Sequence, residues 1–162
     1  GYVAEGAGLE VVSVLDEPTA ANAVLGVREG AIVDIGGGTT GVSILRDGAV
    51  VSTTDEPTGG THVSLVIAGN RGISIEDAET LKRNPGEQKG LLPIVKPVLQ
   101  KMATIVSRAV RGYDVEALYL VGGTCTLAGI ERIIEQDTGI PSFVPPHPFL
   151  VTPAGIARSM TP

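Results

Sequence analysis

Asp34-Ile35-Gly36-Gly37-Gly38-Thr39-Thr40 is the stretch that decides how this chain is read. Ala31 to Ile35 is an apolar run of strand length, and it delivers an aspartate close to its end. Three glycines follow. A turn without Cβ atoms can aim several backbone N–H groups at one anion, and Thr39 and Thr40 would add two hydroxyl donors. Asp34 could hold a metal-bound water beside such an anion, because Mg²⁺ prefers oxygen ligands and retains waters. Taken alone, the same residues also suit a plain glycine turn in a hairpin.

The neighbouring sequence fixes the setting of that turn. Thr40 to Arg46 alternates, with Val42 and Ile44 on one face. Asp47-Gly48 is a strong short hairpin signal, and Ala49 to Thr53 returns as a third strand, giving an antiparallel meander. Upstream, the Val-rich segment Glu10 to Leu15 is expected to be a strand. Pro18 suits the first position of a helix, Thr19 to Leu25 continue it, and Gly26 stops it. Downstream, residues 57–90 change character. Thr61 to Ala68 reads as a short helix, and Ser74-x-x-Asp77 as a capping pattern for a helix over Glu76 to Arg83, ended by Asn84-Pro85-Gly86.

From Pro93 to Val110 apolar residues recur at helical spacing, with both prolines near the expected start, where they are tolerated. Gly112 would close that helix. Ala117 to Val121 reads as a strand, Gly122-Gly123-Thr124 as a turn, and Leu127 to Gln136 as a helix stopped near Gly139. Phe143 and Val144 suggest a last short strand, and Thr152-Pro153 the cap of a final helix. The sum is an α/β fold.

Composition narrows the function. The 162 residues suit one domain, or one domain with a small insertion. Net charge is −6, aromatics are 3%, and no Lys/Arg cluster stands out, so the basic and stacking surfaces that nucleic acid requires are missing. No apolar run approaches the ~20 residues of a membrane span, and no basic, then apolar, start suggests a signal peptide. The expectation is a soluble, cytoplasmic protein that binds no nucleic acid and no membrane. The single cysteine, Cys125, excludes an internal disulfide and reads as a small buried residue. His62 and His147 are isolated and read as ordinary.

Three further motifs could carry chemistry. In Leu120-Val121-Gly122-Gly123-Thr124 a strand ends in two glycines, where a base or ribose could lie on exposed backbone; a plain strand–helix turn is the alternative. Glu17 opens a Pro-started helix after Asp16, which simple capping would also explain. Glu79 and Lys82 share a helix face beside Arg83, which a solvated ion pair would also explain.

The order of these motifs is more specific than any one of them. An EPTAA helix, DIGGGTT on a strand, GGTH, a Glu-rich helix and LVGGT together resemble the actin, DnaK-type chaperone and FtsA superfamily, from about Leu15 to Met160. Within it, LDEPTAA, VDIGGGTTGVSIL, DEPTGGTHVSLVIAGNRGIS and HPFLVTPAGIA look most like the EutJ family of ethanolamine utilization, described as chaperones of bacterial microcompartment operons. The resemblance implies a ribonuclease H-like lobe of the actin/heat-shock ATPase kind. It has a mixed sheet in which an antiparallel meander joins parallel strands, flanked by helices. Residues 1–56 and 91–162 would form the core of the second ATPase lobe and residues 57–90 a small inserted subdomain, with the N-terminal lobe absent.

The resemblance also implies a bound nucleotide, ATP or ADP with Mg²⁺. Asp34 would orient the Mg²⁺ shell through water, and Glu17 would sit near the metal-bound water. Gly36, Gly37, Gly38, Thr39 and Thr40 would form a phosphate loop. Gly59 and Gly60 would line the cleft, and Gly122, Gly123 and Thr124 would face the adenosine. Glu79, Lys82 and Arg83 would clasp base and ribose. One departure stands out: Gly41 occupies a position where DnaK-type chaperones and FtsA carry an acidic residue. That argues against hydrolysis; and since the N-terminal lobe of the relatives supplies the first phosphate loop, the resemblance implies ATPase activity only in a complete two-lobed protein. The implied function is a nucleotide-dependent chaperone or assembly protein with ethanolamine enzymes or microcompartment components as partners. Alternatives are a non-catalytic FtsA-like adaptor or, less in keeping with the residues, a small-molecule kinase.

Overall fold

The computed structural model describes residues 6–8, 10–11 and 14–159. Helix α1 (Glu17–Leu25) is capped by Asp16, whose carboxylate accepts from the Thr19 backbone N–H and hydroxyl, both at 2.9 Å. Strands β1 (Gly30–Ile35), β2 (Thr40–Arg46) and β3 (Ala49–Glu56) form the expected meander. Asp47 and Gly48 both have positive φ, 52° and 81°, as a two-residue hairpin that follows strand twist requires. Next come α2 (Gly60–Arg71), α3 (Ile75–Arg83) and α4 (Pro85–Ala109). Then β4 (Leu118–Val121), a 3₁₀ turn Gly123–Thr126, α5 (Ile130–Thr138), β5 (Ser142–Phe143), a 3₁₀ turn Pro148–Leu150 and α6 (Val151–Ser159) follow among the described residues.

The five strands form one mixed sheet in the order β3-β2-β1-β4-β5. β1 runs antiparallel to β2 and parallel to β4, so the meander and the parallel part meet at β1. Alternation along the strands divides their side chains between two cores. Ala31, Val33, Ile35, Leu118 and Leu120 enter the larger core, with Leu91, Val95 and Leu99 of α4 and Ile130 and Ile134 of α5. Ile32, Leu45 and Val121 point the other way, toward Ala21 of α1 and Val151 of α6. A sheet covered on both faces explains why β2 is buried at Thr40 and at every position from Val42 to Leu45 rather than at alternate ones. α1 and α6 pack so closely that a Cβ added to Gly155 would overlap the carbonyl of Ala20.

Three expectations are corrected. Glu10, Val11, Val14 and Leu15 form no strand, while Val12 and Ser13 lie outside the described residues. α4 begins at Pro85 rather than Pro93, because Asn84 caps it by accepting from the Gly86 N–H at 3.0 Å. Pro93 and Pro97 are thus interior helix residues, each costing about 3 kcal/mol in isolation. Both stand on the exposed side of α4, whose opposite side, Leu91, Val95, Leu99 and Met102, is buried. α5 starts at Ile130 rather than Leu127, because Gly123–Thr126 coils into a 3₁₀ turn first. The 57–90 segment consists of α2, α3 and the first residues of α4, and its Val63, Ile67 and Ala78 join the larger core.

Candidate functional site

β1 and β4 run side by side and end at the same level, Asp34 pairing with Val121. Each then breaks into its glycine turn, so the two turns meet. The Gly36 carbonyl is their junction: it accepts from the Gly60 N–H at 2.8 Å and from the Thr124 hydroxyl at 2.8 Å. The turn itself is closed by the Gly36 N–H donating to Thr39 O at 3.0 Å, and the Gly37 carbonyl accepts from the Thr61 N–H at 2.8 Å. Gly37, Gly38 and Thr39 nevertheless remain exposed. A Cβ on Gly37 or Gly38 would meet nothing within 4 Å, so the outer side of the turn is open.

The sequence candidates fall into distinct positions around this junction. Gly59 and Gly60 are buried beneath the turn and buttress it. A Cβ on Gly59 would lie 2.7 Å from both Gly37 O and Thr39 N. Thr40 corrects the expectation of two free hydroxyl donors: it is fully buried and its hydroxyl donates to Thr58 O at 2.6 Å. Thr39 alone keeps an exposed hydroxyl there. Gly122 has a φ of 93°, and a Cβ on it would collide with Asp34 Oδ1 and Ile35 O, so only glycine fits.

Two cavities flank the junction. The first, about 960 Å³, is lined by Glu17, Asp34, Gly41 and Asp55 among others. Asp34 accepts a 3.5 Å hydrogen bond from the Thr152 hydroxyl. Its carboxyl pKa is raised, first by burial, then by the negative charge of Glu17 and, more weakly, of Asp55, against the opposing Thr152 bond. Asp55 was missed in the sequence. It lies opposite Gly41 across β2 and β3, and a Cβ on Gly41 would stand 2.8 Å from Asp55 Oδ1. A carboxylate therefore does sit over position 41, supplied by β3. No group of three or more His, Cys, Asp or Glu among the described residues converges tightly enough to grip a bare ion.

The second cavity, about 590 Å³, is lined by Gly37, Gly123 and Thr124 on one side and Glu79, Lys82 and Arg83 on another. Glu79 is the centre of the latter group. Its Oε2 takes the Lys82 ammonium at 2.6 Å and the Ser64 hydroxyl at 2.5 Å, and its Oε1 takes Arg83 Nε at 3.0 Å. Partial burial opposes its charge, but these bonds and the Lys82 charge outweigh burial and hold its pKa down to about 2. Lys82 also donates to the Gly60 carbonyl at 3.1 Å, which connects this group to the glycine junction. The plain solvated pair therefore gives way to a partly enclosed network.

Gln88, also missed, holds that wall in place. It is buried, donates to Lys82 O at 3.0 Å and accepts from the Ala128 N–H at 3.0 Å. Cys125 is buried, as expected. The Cys125 thiol is buried against Val121 O, and burial pushes its pKa well up, away from any thiolate role. His62 Nδ1 accepts from the Gly59 N–H at 3.3 Å, so its job is local.

Comparison with known proteins agrees with this architecture. The family model described as type IV pilus assembly protein PilM matches residues 3–153. The ethanolamine utilization protein EutJ of Escherichia coli K12 is 47% identical over 158 residues, 97% of this chain and 56% of the relative. The crystal structure of EutJ from Carboxydothermus hydrogenoformans superposes with a TM-score of 0.90 at 47% identity, covering 97% of this chain and 58% of that one. MreB5 of Spiroplasma citri, solved bound to ADP, shares the fold with a TM-score of 0.84 at 17% identity, covering 98% of this chain and 63% of that one. The chain thus spans little more than half the length of the EutJ relatives it matches. No helix among the described residues is long and apolar enough to cross a membrane. The chain belongs to the PilM family of the actin/FtsA-like ATPase fold, with the ethanolamine utilization protein EutJ among its relatives.

Proposed function

We propose that this chain is a nucleotide-binding lobe of an ethanolamine utilization protein, and that ADP or ATP lies across the junction of its two glycine turns. The observation that carries this reading is the open outer side of Gly37 and Gly38 on a turn pinned from beneath by Gly60 and Thr124. Such a turn presents exposed main-chain groups held rigid in advance, which is what anion recognition by backbone amides needs. The second cavity then takes the nucleoside, with Gly123 and Thr124 against it and Glu79, Lys82 and Arg83 clasping it.

The donor set also suits Mg²⁺. Asp34, Glu17 and Asp55 line one cavity with hard oxygen donors; burial first, then the charges of Glu17 and Asp55, raise the Asp34 pKa, and a divalent cation would offset the charge repulsion. Their spacing favours a hydrated ion, with Asp34 meeting its waters, over direct coordination. Bound there, Mg²⁺ would neutralise phosphate charge. The chain's own residues orient its water shell and hold the phosphates. The segment 57–90 acts as the inserted subdomain that brings the clasp to the core of residues 1–56 and 91–162.

In the ethanolamine system we assign this lobe to a nucleotide-dependent chaperone or assembly role, with ethanolamine enzymes or microcompartment components as protein partners. Phosphoryl transfer requires positioning from all sides, and the groups here line only one side of the phosphates. Binding without appreciable hydrolysis follows. A second reading, a non-catalytic adaptor, draws on the match to the PilM family and on glycine at position 41. Calorimetric titration with ADP, with and without Mg²⁺, tests the binding claim: saturable binding strengthened by Mg²⁺ supports it, and no heat at millimolar ADP removes it. Steady release of phosphate from ATP by this chain would refute the claim of binding without turnover. Turnover stimulated by shell or enzyme partners in a two-lobed protein would favour the chaperone over the adaptor.

A further inference from the structure

We propose that Phe149 is the aromatic wall of the nucleoside cavity and that its ring stacks on the base of the bound nucleotide. The proposal rests on the nucleotide reading above. Phe149 lines the second cavity together with Gly37, Arg83, Gly123 and Thr124. The chain is poor in aromatic residues, with 2 Phe, 3 Tyr and no Trp, yet this ring is left 51% exposed. An exposed ring in such a chain, the one aromatic residue lining a cavity whose other apolar side chains are the aliphatic Pro85 and Leu127, has a flat partner as its natural ligand.

The backbone that carries the ring is fixed. Phe149 sits in the 3₁₀ turn Pro148–Leu150. The Gly122 N–H donates to Pro148 O at 3.0 Å, so the ring's own turn is bonded to the glycine turn on which the nucleoside would rest. The Leu150 N–H donates to His147 O at 2.9 Å, and Pro148 and Val151, on either side of the exposed pair, are buried. The backbone that bears the ring is thereby fixed at the cavity before any ligand arrives, which reduces the entropy lost on binding. Arg83 lines the same cavity, with its Nε held by Glu79 at 3.0 Å. A guanidinium plane stacks on heteroaromatic rings as readily as on a side-chain ring. Ring and guanidinium together would favour a base with a large π face, a purine over a pyrimidine.

The absence of tryptophan makes the test specific. In the full chain, Phe149→Trp places a single indole at the cavity, and its emission is followed during titration with ADP, UDP and pyrophosphate. The proposal expects a change with ADP, a smaller one with UDP and none with pyrophosphate. By calorimetry, Phe149→Ala and Phe149→Leu should both lose about tenfold in ADP affinity and keep their pyrophosphate affinity. Normal ADP binding by Phe149→Leu would overturn stacking, because the ring would then be replaceable by any apolar group. Unchanged emission from Phe149→Trp while that variant binds ADP would place the base elsewhere, leaving the nucleotide reading intact. Failure of the unaltered chain to bind ADP at all would overturn both.

Discussion

The Thr124 hydroxyl donates to the Gly36 carbonyl at 2.8 Å and so joins two glycine turns that stand 88 residues apart in sequence. Neither turn is informative alone. Joined, they place an open backbone turn beside a nucleoside-sized cavity, and the proposed function depends on that adjacency. Thr124→Val keeps the shape and removes the donor. Gly36 O still accepts from Gly60, so no buried acceptor is orphaned and the stability loss should be about 1 kcal/mol in urea unfolding. ADP affinity should fall severalfold, and Thr124→Ser should restore it.

Gly59 sets a harsher limit. The space its Cβ would need is bounded by Gly36 O, Gly37 O and Thr39 N, all backbone atoms of the first glycine turn and all within 2.8 Å. Backbone cannot rotate away as a side chain can. Gly59→Ala should cost about 2 kcal/mol in denaturant unfolding and weaken ADP binding more than Thr124→Val does. Gly69→Ala serves as the control: it is an exposed α2 position where a Cβ meets nothing within 4 Å, and it should be neutral or slightly stabilising.

Asp34 trades stability for binding. Its pKa is raised, foremost by burial and next by Glu17. A carboxyl raised in the folded state contributes stability that is fully present below its ordinary pKa of 3.8 and is lost as pH rises through the folded value. Near neutral pH the ionised group is therefore a liability to the unliganded fold. Asp34→Asn should raise the melting temperature at pH 7, and the gain should vanish at acidic pH. The same variant should lose the Mg²⁺-dependent part of ADP affinity. A fall in melting temperature at pH 7 would contradict this assignment.

Glu79 behaves in the opposite sense. With its pKa lowered from 4.5 to about 2, its contribution is present above the ordinary value and is lost as pH falls through the folded one. Acid unfolding followed between pH 4.5 and about 2 should be less steep in Glu79→Gln. A third of the side chain is exposed, so solvent screening keeps the loss at neutral pH near 1 kcal/mol. Lys82 and Arg83 would lose their shared partner, and ADP affinity should drop with it.

The glycine turns, the meander and helix α3 were legible because each depends on local chemistry: missing Cβ atoms, a two-residue hairpin and a capping serine. Asp55 was not, and the reason is a β-bulge. Leu45 pairs with Val50 but Ile44 with Ser52, so Val51 is an extra residue in β3. Counting back from the Asp47-Gly48 turn without it sets Thr54 opposite Gly41. The bulge shifts the register by one and brings Asp55 there instead. Gln88 stayed hidden because prolines at 93 and 97 argue locally for a later helix start, while the Asn84 cap and burial of Leu91 and Val95 override them. Phe149 lies in a Pro-rich stretch without periodicity, where nothing in the sequence says which way a ring faces.

The most direct measurement is the backbone amide NMR spectrum of this chain during titration with Mg-ADP. The account predicts that the amides of Gly37, Gly38 and Thr39 shift most, followed by Gly123 and Thr124, while the hairpin at Asp47 and Gly48 stays unchanged. Saturable ADP binding that leaves the three turn amides unmoved and perturbs another face of the sheet would contradict it.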